Sequence, residues 1–296
     1  MVGGESLSCS EASTLAGEPL AGTASDATLL AALAWPRARW HADKTALSEG
    51  LPPALAELER SAKRAGRRLQ LRLFERVGPR PVAGVELVCA DFATGRTLAL
   101  TASDPEAAAA AIAGFAAGET VGLPLEAPLV LVCTDGRHDR CCGKLGRSLA
   151  AALRGEIDVA ESSHLGGHRL APNCLVLPSG RLYGRVTAGD VPELLEAIRH
   201  DRVYAPCYRG RSGLGELEQV AEAAVLAQCP GASALALAPD GAVVRVSFRD
   251  GGAEHRLEVA CARRSYSGIG SCGDAAPEQR LRWQATRVRT VSATSG

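Results

Sequence analysis

The sequence predicts an α/β protein, α+β overall when the last part of the chain is included, and three patterns support this prediction. A continuous apolar run of strand length, "APLVLVC" (127–133), precedes a segment with helical spacing, "KLGRSLAAALRG" (144–155). A hairpin-then-helix pattern occurs twice, and a further alternating hairpin lies near the end of the chain. Alternating strands and helices are typical of a sheet covered by helices.

The composition argues against several classes of partner. The chain has 296 residues, which is enough for two or three domains and a sizeable core. Lys plus Arg equals Asp plus Glu at 33 each, so no broad surface for nucleic acid or anionic membranes is implied. A protein or a small molecule is the better expectation.

The beginning of the chain does not read as a secretory signal. The first 35 residues have no basic start, and their only apolar run is late and short. No stretch reaches about 18 uninterrupted apolar residues, as a membrane helix requires. We therefore expect a cytoplasmic protein with no membrane partner. In a reducing compartment, ten cysteines indicate metal binding, redox chemistry or small buried side chains before structural disulfides.

The first predicted lobe, residues 26–124, follows a tail. Residues 1–25 are rich in Gly, Ser, Ala and Glu without periodicity, and we expect them to be flexible. The patterns then predict a helix over 51–66, a strand over 68–77, and a hairpin followed by a helix over 84–116.

The second predicted domain, residues 125–210, has a similar order of elements. The strand and helix quoted above are followed by a hairpin over 173–186, which turns at a Pro-Ser-Gly sequence. A capped amphipathic helix is predicted over 187–200.

The two hairpin-then-helix stretches can be aligned with each other. "VCADFATGRTLALTASDPEAAAAAI" matches "NCLVLPSGRLYGRVTAGDVPELLEAI", so we infer an internal repeat. Where the second copy has "CTDGRHDRCC", the first has "AWPRARWHAD" (34–43) and is degenerate. We interpret Trp35 and Trp40 in that stretch as core or interface side chains. Two such lobes packed together would imitate a dimer within one chain.

Residues 211–296 are predicted to form a small α+β appendage. A helical stretch precedes "AVVRVSFRDGGAEHRLEVAC" (242–261), which alternates around an Asp-Gly-Gly turn as a hairpin does. Gly268, Gly270 and Gly273 match a dinucleotide fingerprint letter by letter. Their segment opens no long helix and begins no βαβ unit, so we reject a nucleotide site there.

Thiols and imidazoles concentrate between Cys133 and His168. Three of the ten cysteines and three of the six histidines lie within these 36 residues, and both residue types bind soft or borderline metals. Cys133 ends the predicted strand, and Cys142 precedes a helix predicted to begin near Gly143. A helix N-terminus favours the thiolate over the thiol.

His164 and His168 bracket a Leu-Gly-Gly sequence. Their four-residue spacing would suit a helix, but two central glycines cost about 1 kcal/mol each there, so a loop is predicted.

Residue identity alone leaves several metal or redox sites open. Two thiolates and two imidazoles make a tetrahedral structural zinc site, although the cysteines of such sites are usually only about two to four residues apart. The nine-residue step from Cys133 to Cys142 fits a wider dinuclear core. The same two cysteines could form a dithiol redox pair, but they lack the two-residue spacing typical of such pairs.

Three stretches, "CTDGRHDRCCGKLGRSLAAAL", "SSHLGGHR" and "NCLVLPSGRLYGRVTAGDVPELLEAI", resemble the sucrase/ferredoxin-like family, a branch of the thioredoxin-like [2Fe-2S] ferredoxins. The resemblance covers residues 127–200, and H-x-G-G-H is its most specific part. It implies a thioredoxin-like ferredoxin domain, and the internal repeat then predicts that a degenerate thioredoxin-like lobe precedes it. The resemblance also implies a [2Fe-2S] cluster with Cys133 and Cys142 on one iron and His164 and His168 on the other.

The neighbouring cysteines and His138 are given smaller roles, one from the resemblance and the others from their positions in the predicted elements. "CCGKLG" matches the family's C-G-x-x-G with Cys142 on the iron, so Cys141 is expected to be a bystander, with a redox-active neighbour as the alternative. His138 is expected to be a solvated loop residue, and Cys174 a buried thiol in a core strand. The single cysteines are interpreted as structural or incidental: Cys9, Cys89, Cys207, Cys229, Cys261 and Cys272.

The implied function is electron transfer rather than catalysis, with a redox partner protein or reductase, no nucleic acid, and a monomeric state. The sucrase part of the family name gains no support, because we find no pair of acid/base carboxylates in a shared motif. Two imidazoles in place of two thiolates make the oxidised centre neutral, which predicts a potential above the roughly −400 mV of plant-type ferredoxins. Reduction is expected to take up a proton if solvent reaches His164 or His168.

Overall fold

The structure is a computed structural model that describes residues 7–42, 45, 48–76, 84–274 and 276–291. Parts of several predicted segments lie outside the described residues. They are residues 1–6 of the expected tail, Asp43 of the degenerate stretch, Val77 of the predicted strand, Ala275, and residues 292–296 of the appendage.

The N-terminal segment corrects the prediction of a flexible tail. Helix α1 (Cys9–Leu15) begins at a capping box in which Ser8 and Glu11 satisfy each other's backbone N–H groups. Ser10 Oγ donates to the carbonyl oxygen of Ala171 at 2.7 Å. The carboxylate of Glu18 is buried and accepts from Arg169 at 2.8 Å. The Ser and Glu residues whose abundance suggested a flexible tail therefore hold this segment against the second half of the chain.

The first half of the main sheet contains five strands, β1 (Leu29–Ala34), β2 (Leu69–Arg76), β3 (Val85–Asp91), β4 (Arg96–Ala102) and β5 (Leu123–Pro124). Helix α2 (Ala54–Arg64) joins the parallel strands β1 and β2, and α3 (Pro105–Ala116) follows the β3–β4 hairpin. Trp40 is 4% exposed and lies in the core under these helices, and Trp35 packs against it, which confirms their interpretation as core side chains.

The second half contains β6 (Leu129–Cys133), α4 (Arg140–Leu153), β7 (Asp158–Ser162), β8 (Cys174–Leu177), β9 (Arg181–Tyr183), α5 (Val191–Arg199) and β10 (Tyr208–Arg211). Here α4 joins the parallel strands β6 and β7, and α5 follows the β8–β9 hairpin.

The two halves form one ten-stranded sheet in the order β10-β9-β8-β6-β7-β2-β1-β3-β4-β5. Each half has the same internal strand order and the same pairing directions, and the halves meet where β2 pairs antiparallel with β7. This mixed α and β architecture confirms the predicted fold class and agrees with a thioredoxin-like order of elements. The sheet runs through the predicted boundary at 124/125, so the division into separate domains stays a prediction.

The last part of the chain consists of α6 (Glu216–Gln228) and an antiparallel four-stranded sheet. Its strands are β11 (Ser233–Asp240), β12 (Val243–Asp250), β13 (Ala253–Ile269) and β14 (Pro277–Thr290), in chain order. The β13–β14 hairpin is far longer than its neighbours, so its tip extends back to α1 and α4. Gly270 and Gly273 lie at this tip rather than at a helix N-terminus, where a dinucleotide fingerprint would place them. Within the described residues no helix is long and apolar enough to cross a membrane.

Candidate metal centre

The turn between β6 and α4 places Cys133 and Cys142 side by side. Cys133 is the last residue of β6, and α4 begins at Arg140, three residues before the predicted position, so Cys142 lies in its first turn. Both thiols are buried. Each sulfur lies 3.9 Å from Nδ1 of His164. The two predicted cysteines and one predicted histidine therefore meet at one point.

Two glycines explain how α4 approaches the end of β6 so closely. A Cβ built on Gly146 would lie 1.9 Å from the carbonyl oxygen of Cys133, and one on Gly143 would lie 2.6 Å from Cα of Gly136. A side chain on Gly146 would push the helix away from the strand, and one on Gly143 would push it away from the turn that follows the strand. The C-G-x-x-G spacing thus has a physical reason, because it holds Cys142 against Cys133.

The H-x-G-G-H segment connects β7 to β8 and is a loop, as predicted. Gly166 and Gly167 have φ angles of +89° and +73°, in the left-handed region that favours glycine. The chain reverses through these two residues and brings the ring centroids of His164 and His168 to 5.5 Å from each other.

The two ring nitrogens of His168 have different surroundings. Nε2 lies 2.5 Å from the carbonyl oxygen of Gly270 at the hairpin tip. A carbonyl only accepts, so in the neutral ring Nε2 carries the proton and Nδ1 carries the lone pair. Nδ1 is buried and has no hydrogen-bond partner among the described residues. An imidazole held in this way is typical of a metal ligand whose outer N–H is bonded to the protein.

His138 is not the solvated loop residue that we expected. Its ring stacks on that of His164 with a centroid distance of 3.7 Å, and it is half-buried. The loop after β1 covers this turn: Arg137 donates to the carbonyl oxygen of Trp40 at 2.7 Å, and Nδ1 of His138 lies 3.2 Å from that of Ala42. The first half of the chain therefore encloses a third imidazole beside the predicted pair.

Charge at the site favours a thiolate on Cys133 and a neutral imidazole on His164. A hydrogen bond from the Cys142 thiol, and the nearby ring of His164, hold the pKa of Cys133 well below its usual value despite burial. The same sharing of a proton raises the pKa of Cys142. Burial lowers the pKa of His164, so its ring is neutral near pH 7. Thiolate and neutral imidazole are the forms that bind metal.

Sequence reasoning missed a buried cation behind the histidine loop. Arg209 is 2% exposed and donates to the carbonyl oxygen of Gly166 at 3.0 Å and to Oδ1 of Asn173 at 2.9 Å. Burial, with a smaller effect from Arg169, lowers the pKa of Arg209 to about 9, so it stays charged near pH 7. A Cβ on Gly167 would lie 2.5 Å from Nη2 of Arg209, so this arginine also requires the glycine. It lies in a strand that had not been predicted.

The remaining cysteines divide into two groups. Cys141 lies with Cys9 and Cys272, so these three thiols form a group that the sequence analysis did not predict. The others are buried or half-buried in packed cores, as expected: Cys89, Cys174, Cys207, Cys229 and Cys261.

The donor atoms fit a metal centre and form two overlapping groups. The sulfurs of Cys133 and Cys142 and one ring nitrogen of His164 all lie within 4.8 Å of one another, and so do ring nitrogens of His138, His164 and His168. His164 belongs to both groups, whereas His168 does not join the two sulfurs within that limit. This donor set suits a metal ion or a metal cluster.

Comparisons with known proteins match the part of the chain that contains this site. The family described as sucrase/ferredoxin-like matches residues 24–210, which include every residue named above for the Cys133 site except Gly270. A relative from Eremothecium gossypii, Altered inheritance of mitochondria protein 32, is 31% identical over 106 residues. That stretch is 30% of this chain and 34% of the relative, so the match spans about a third of the relative's length. No solved structure matches the chain.

Proposed function

The chain belongs to the sucrase/ferredoxin-like family, and on that premise we propose that it is an electron-transfer protein that carries a [2Fe-2S] cluster. The proposed ligands are Cys133 and Cys142 on one iron and His164 and His168 on the other. When bound, the cluster supplies the site with one-electron chemistry. The protein is then a carrier, with a redox partner protein or a reductase as its donor or acceptor, and we place it in the cytoplasm.

The observation that carries the proposal is the separation of the donor atoms into two groups. Two ligands of one tetrahedral zinc ion, bound at about 2.0 to 2.3 Å, lie about 3.3 to 3.8 Å apart. His168 does not lie within 4.8 Å of both sulfurs, although it does lie that close to His164. His168 therefore lies too far from the two sulfurs to share one ion with both of them, which favours a dinuclear core over a single ion.

The protein around the ligands holds their protonation states and positions. The carbonyl oxygen of Gly270 keeps the proton of His168 on Nε2 and leaves Nδ1 for iron. Arg209 and the left-handed glycines hold the loop that carries both histidines. Cys133 and Cys142 are buried at 1% and 0% exposure, which keeps water from the thiolates.

Charge at the centre predicts its electrochemistry. With two thiolates and two neutral imidazoles the oxidised centre is neutral, and the buried guanidinium of Arg209 adds positive charge behind the loop. Both features make an added electron more stable than in a four-cysteine centre, so we expect a potential above roughly −400 mV. We also propose that reduction takes up a proton where solvent reaches an imidazole ligand.

A structural zinc site is the second candidate, because one nitrogen of His164 lies 3.9 Å from each of the two sulfurs, which suits a single ion. A dithiol redox pair without metal is the third, supported by the depressed pKa of Cys133.

Purification without oxygen, followed by a visible spectrum and a metal count, separates the three candidates. The proposal predicts a coloured protein with two iron atoms per chain that bleaches on reduction. A colourless protein whose zinc is lost on substitution of Cys133 would replace it with the zinc site. A metal-free protein with a reversible Cys133 to Cys142 disulfide would replace it with the dithiol pair.

A further inference from the structure

Three cysteines that are far apart in the sequence meet beside the proposed cluster site. Cys9 lies in α1, Cys141 in the first turn of α4, and Cys272 at the tip of the β13–β14 hairpin, each more than 100 residues from the next. Their sulfurs form a nearly equilateral triangle: 3.2 Å from Cys141 to Cys272, and 3.5 Å from Cys9 to each of the other two.

A carboxylate completes this group. Oδ1 of Asp139 lies 3.5 Å from the sulfur of Cys9, and one carboxylate oxygen of Asp139 lies within 4.8 Å of all three sulfurs. The same carboxylate accepts from the backbone N–H of Cys141 at 2.8 Å and from that of Cys272 at 2.9 Å. Asp139 is 4% exposed. Hydrogen bonds of this kind orient a carboxylate that binds a metal.

We propose that Cys9, Cys141, Cys272 and Asp139 form a second metal site, which binds one zinc ion tetrahedrally. Three thiolates and one carboxylate are ligands that zinc takes in proteins. At a Zn–S distance of about 2.3 Å, two sulfurs of one zinc ion lie about 3.8 Å apart, so the triangle needs only a slight expansion to accept the ion. Binding turns the thiols into thiolates and releases their protons to solvent.

The equal sides of the triangle argue for a metal rather than a disulfide. A disulfide bond is about 2.05 Å long and joins only two sulfurs, so it would leave the third thiol without a role. A zinc ion uses all three sulfurs and the carboxylate.

The site would connect three distant segments at the place where they contact the proposed cluster. Cys272 is two residues from Gly270, whose carbonyl oxygen holds His168, and Cys141 is adjacent to Cys142. Zinc binding would therefore fix the hairpin tip against the histidine loop. Occupancy of the zinc site does not depend on the proposed function, because the two sites share no ligand.

Metal analysis of variants tests the proposal. The full chain, purified without oxygen, should contain one zinc ion per chain besides any iron. Cys272→Ser should lose that zinc, while Cys229→Ser should keep it. Cys229 is a matched control, since it is also a half-buried cysteine of the last part of the chain. Its side chain packs against the hydrophobic core there. Cys133→Ser should lose iron and keep zinc, which distinguishes the zinc site from the proposed [2Fe-2S] cluster.

Cobalt gives a second measurement if Cys272→Ser does not fold. Wild-type protein stripped of zinc should take up one Co²⁺ with intense thiolate-to-cobalt absorption, and Cys9→Ser, which changes a different element, should weaken that absorption strongly. An unchanged zinc content in Cys272→Ser and Cys9→Ser, loss of all zinc in Cys133→Ser, or a Cys141 to Cys272 disulfide in the unreduced protein would each overturn the proposal.

Discussion

Substitution of Gly146 by Ala tests how closely α4 must approach the end of β6. The added Cβ would lie 1.9 Å from the carbonyl oxygen of Cys133, whereas ordinary contacts begin at 3.4 Å. Helix and strand must therefore separate by about 1.5 Å. Metal ligands tolerate displacements of only about 0.2 Å, so a shift of this size should remove Cys142 from the proposed iron. Overpacking of this kind costs about 1 to 3 kcal/mol, so the chain should still fold.

The assay is iron per chain and visible absorption after purification without oxygen, with the far-ultraviolet circular dichroism of the same samples to show that the protein is folded. We expect Gly146→Ala to keep the dichroism and to lose most of its iron. Gly189→Ala is the matched control, since its Cβ would meet only Oγ1 of Thr187 at 3.6 Å, and it should keep its iron. A folded Gly146→Ala protein with full iron and an unchanged spectrum would refute the argument that this contact positions the ligands.

Three further predictions concern ligation, pH and potential. His168→Ala should lose the cluster absorption and His138→Ala should keep it, because only His168 has a buried and unpartnered Nδ1 among the described imidazoles; a reversal of these spectra would reassign the ligand. Glu18→Gln should destabilise the protein by about 3 kcal/mol at pH 7. Burial raises the pKa of Glu18, but the opposite and larger effect of Arg169, a serine hydroxyl and Arg282 brings it down to about 2. The stabilisation by the ionised Glu18 is therefore present above about pH 4.5 and is lost as the pH falls toward 2. Urea unfolding of both proteins at pH 7 and pH 3 measures it, and a difference that does not shrink at pH 3 would contradict it. Voltammetry should give a potential above roughly −400 mV that falls by up to about 59 mV per pH unit above neutral; a value near that of plant-type ferredoxins would count against histidine ligation.

The second half of the sheet could be predicted because its signals are local. The apolar run that ends at Cys133 and the spacing of α4 place two cysteines on one turn, and two glycines between His164 and His168 exclude a helix. The beginning of α4 at Arg140 was missed, because the helix is capped by Asp139, whose side chain accepts from the N–H of Cys141.

Two central strands could not be predicted from their own residues. β1 ("LLAALA") is short, rich in alanine and without β-branched residues, and β7 ("DVAES") is short and partly polar. Both are strands because of their neighbours: β1 pairs with β2 and β3, and β7 pairs with β6 and β2. Such pairing joins residues that are distant in the chain, so no local pattern indicates it.

The group of Cys9, Cys141 and Cys272 was missed for a similar reason. No spacing links residues that lie 132 and 131 positions apart, and the group forms only because α1 is anchored and the β13–β14 hairpin is long. Arg209 gave no signal either, since a buried arginine is recognised only from the carbonyl oxygens around it.

Electron paramagnetic resonance of the reduced protein tests the central claim most directly. Protein in which only the histidines carry ¹⁵N should be reduced with dithionite and examined for couplings between the cluster electron and nitrogen. Ligation by His164 and His168 predicts strong couplings from two nitrogens, which change with the ¹⁵N label and are lost in His168→Ala together with the cluster. A paramagnetic [2Fe-2S] signal without strong histidine couplings would contradict the two-cysteine, two-histidine centre.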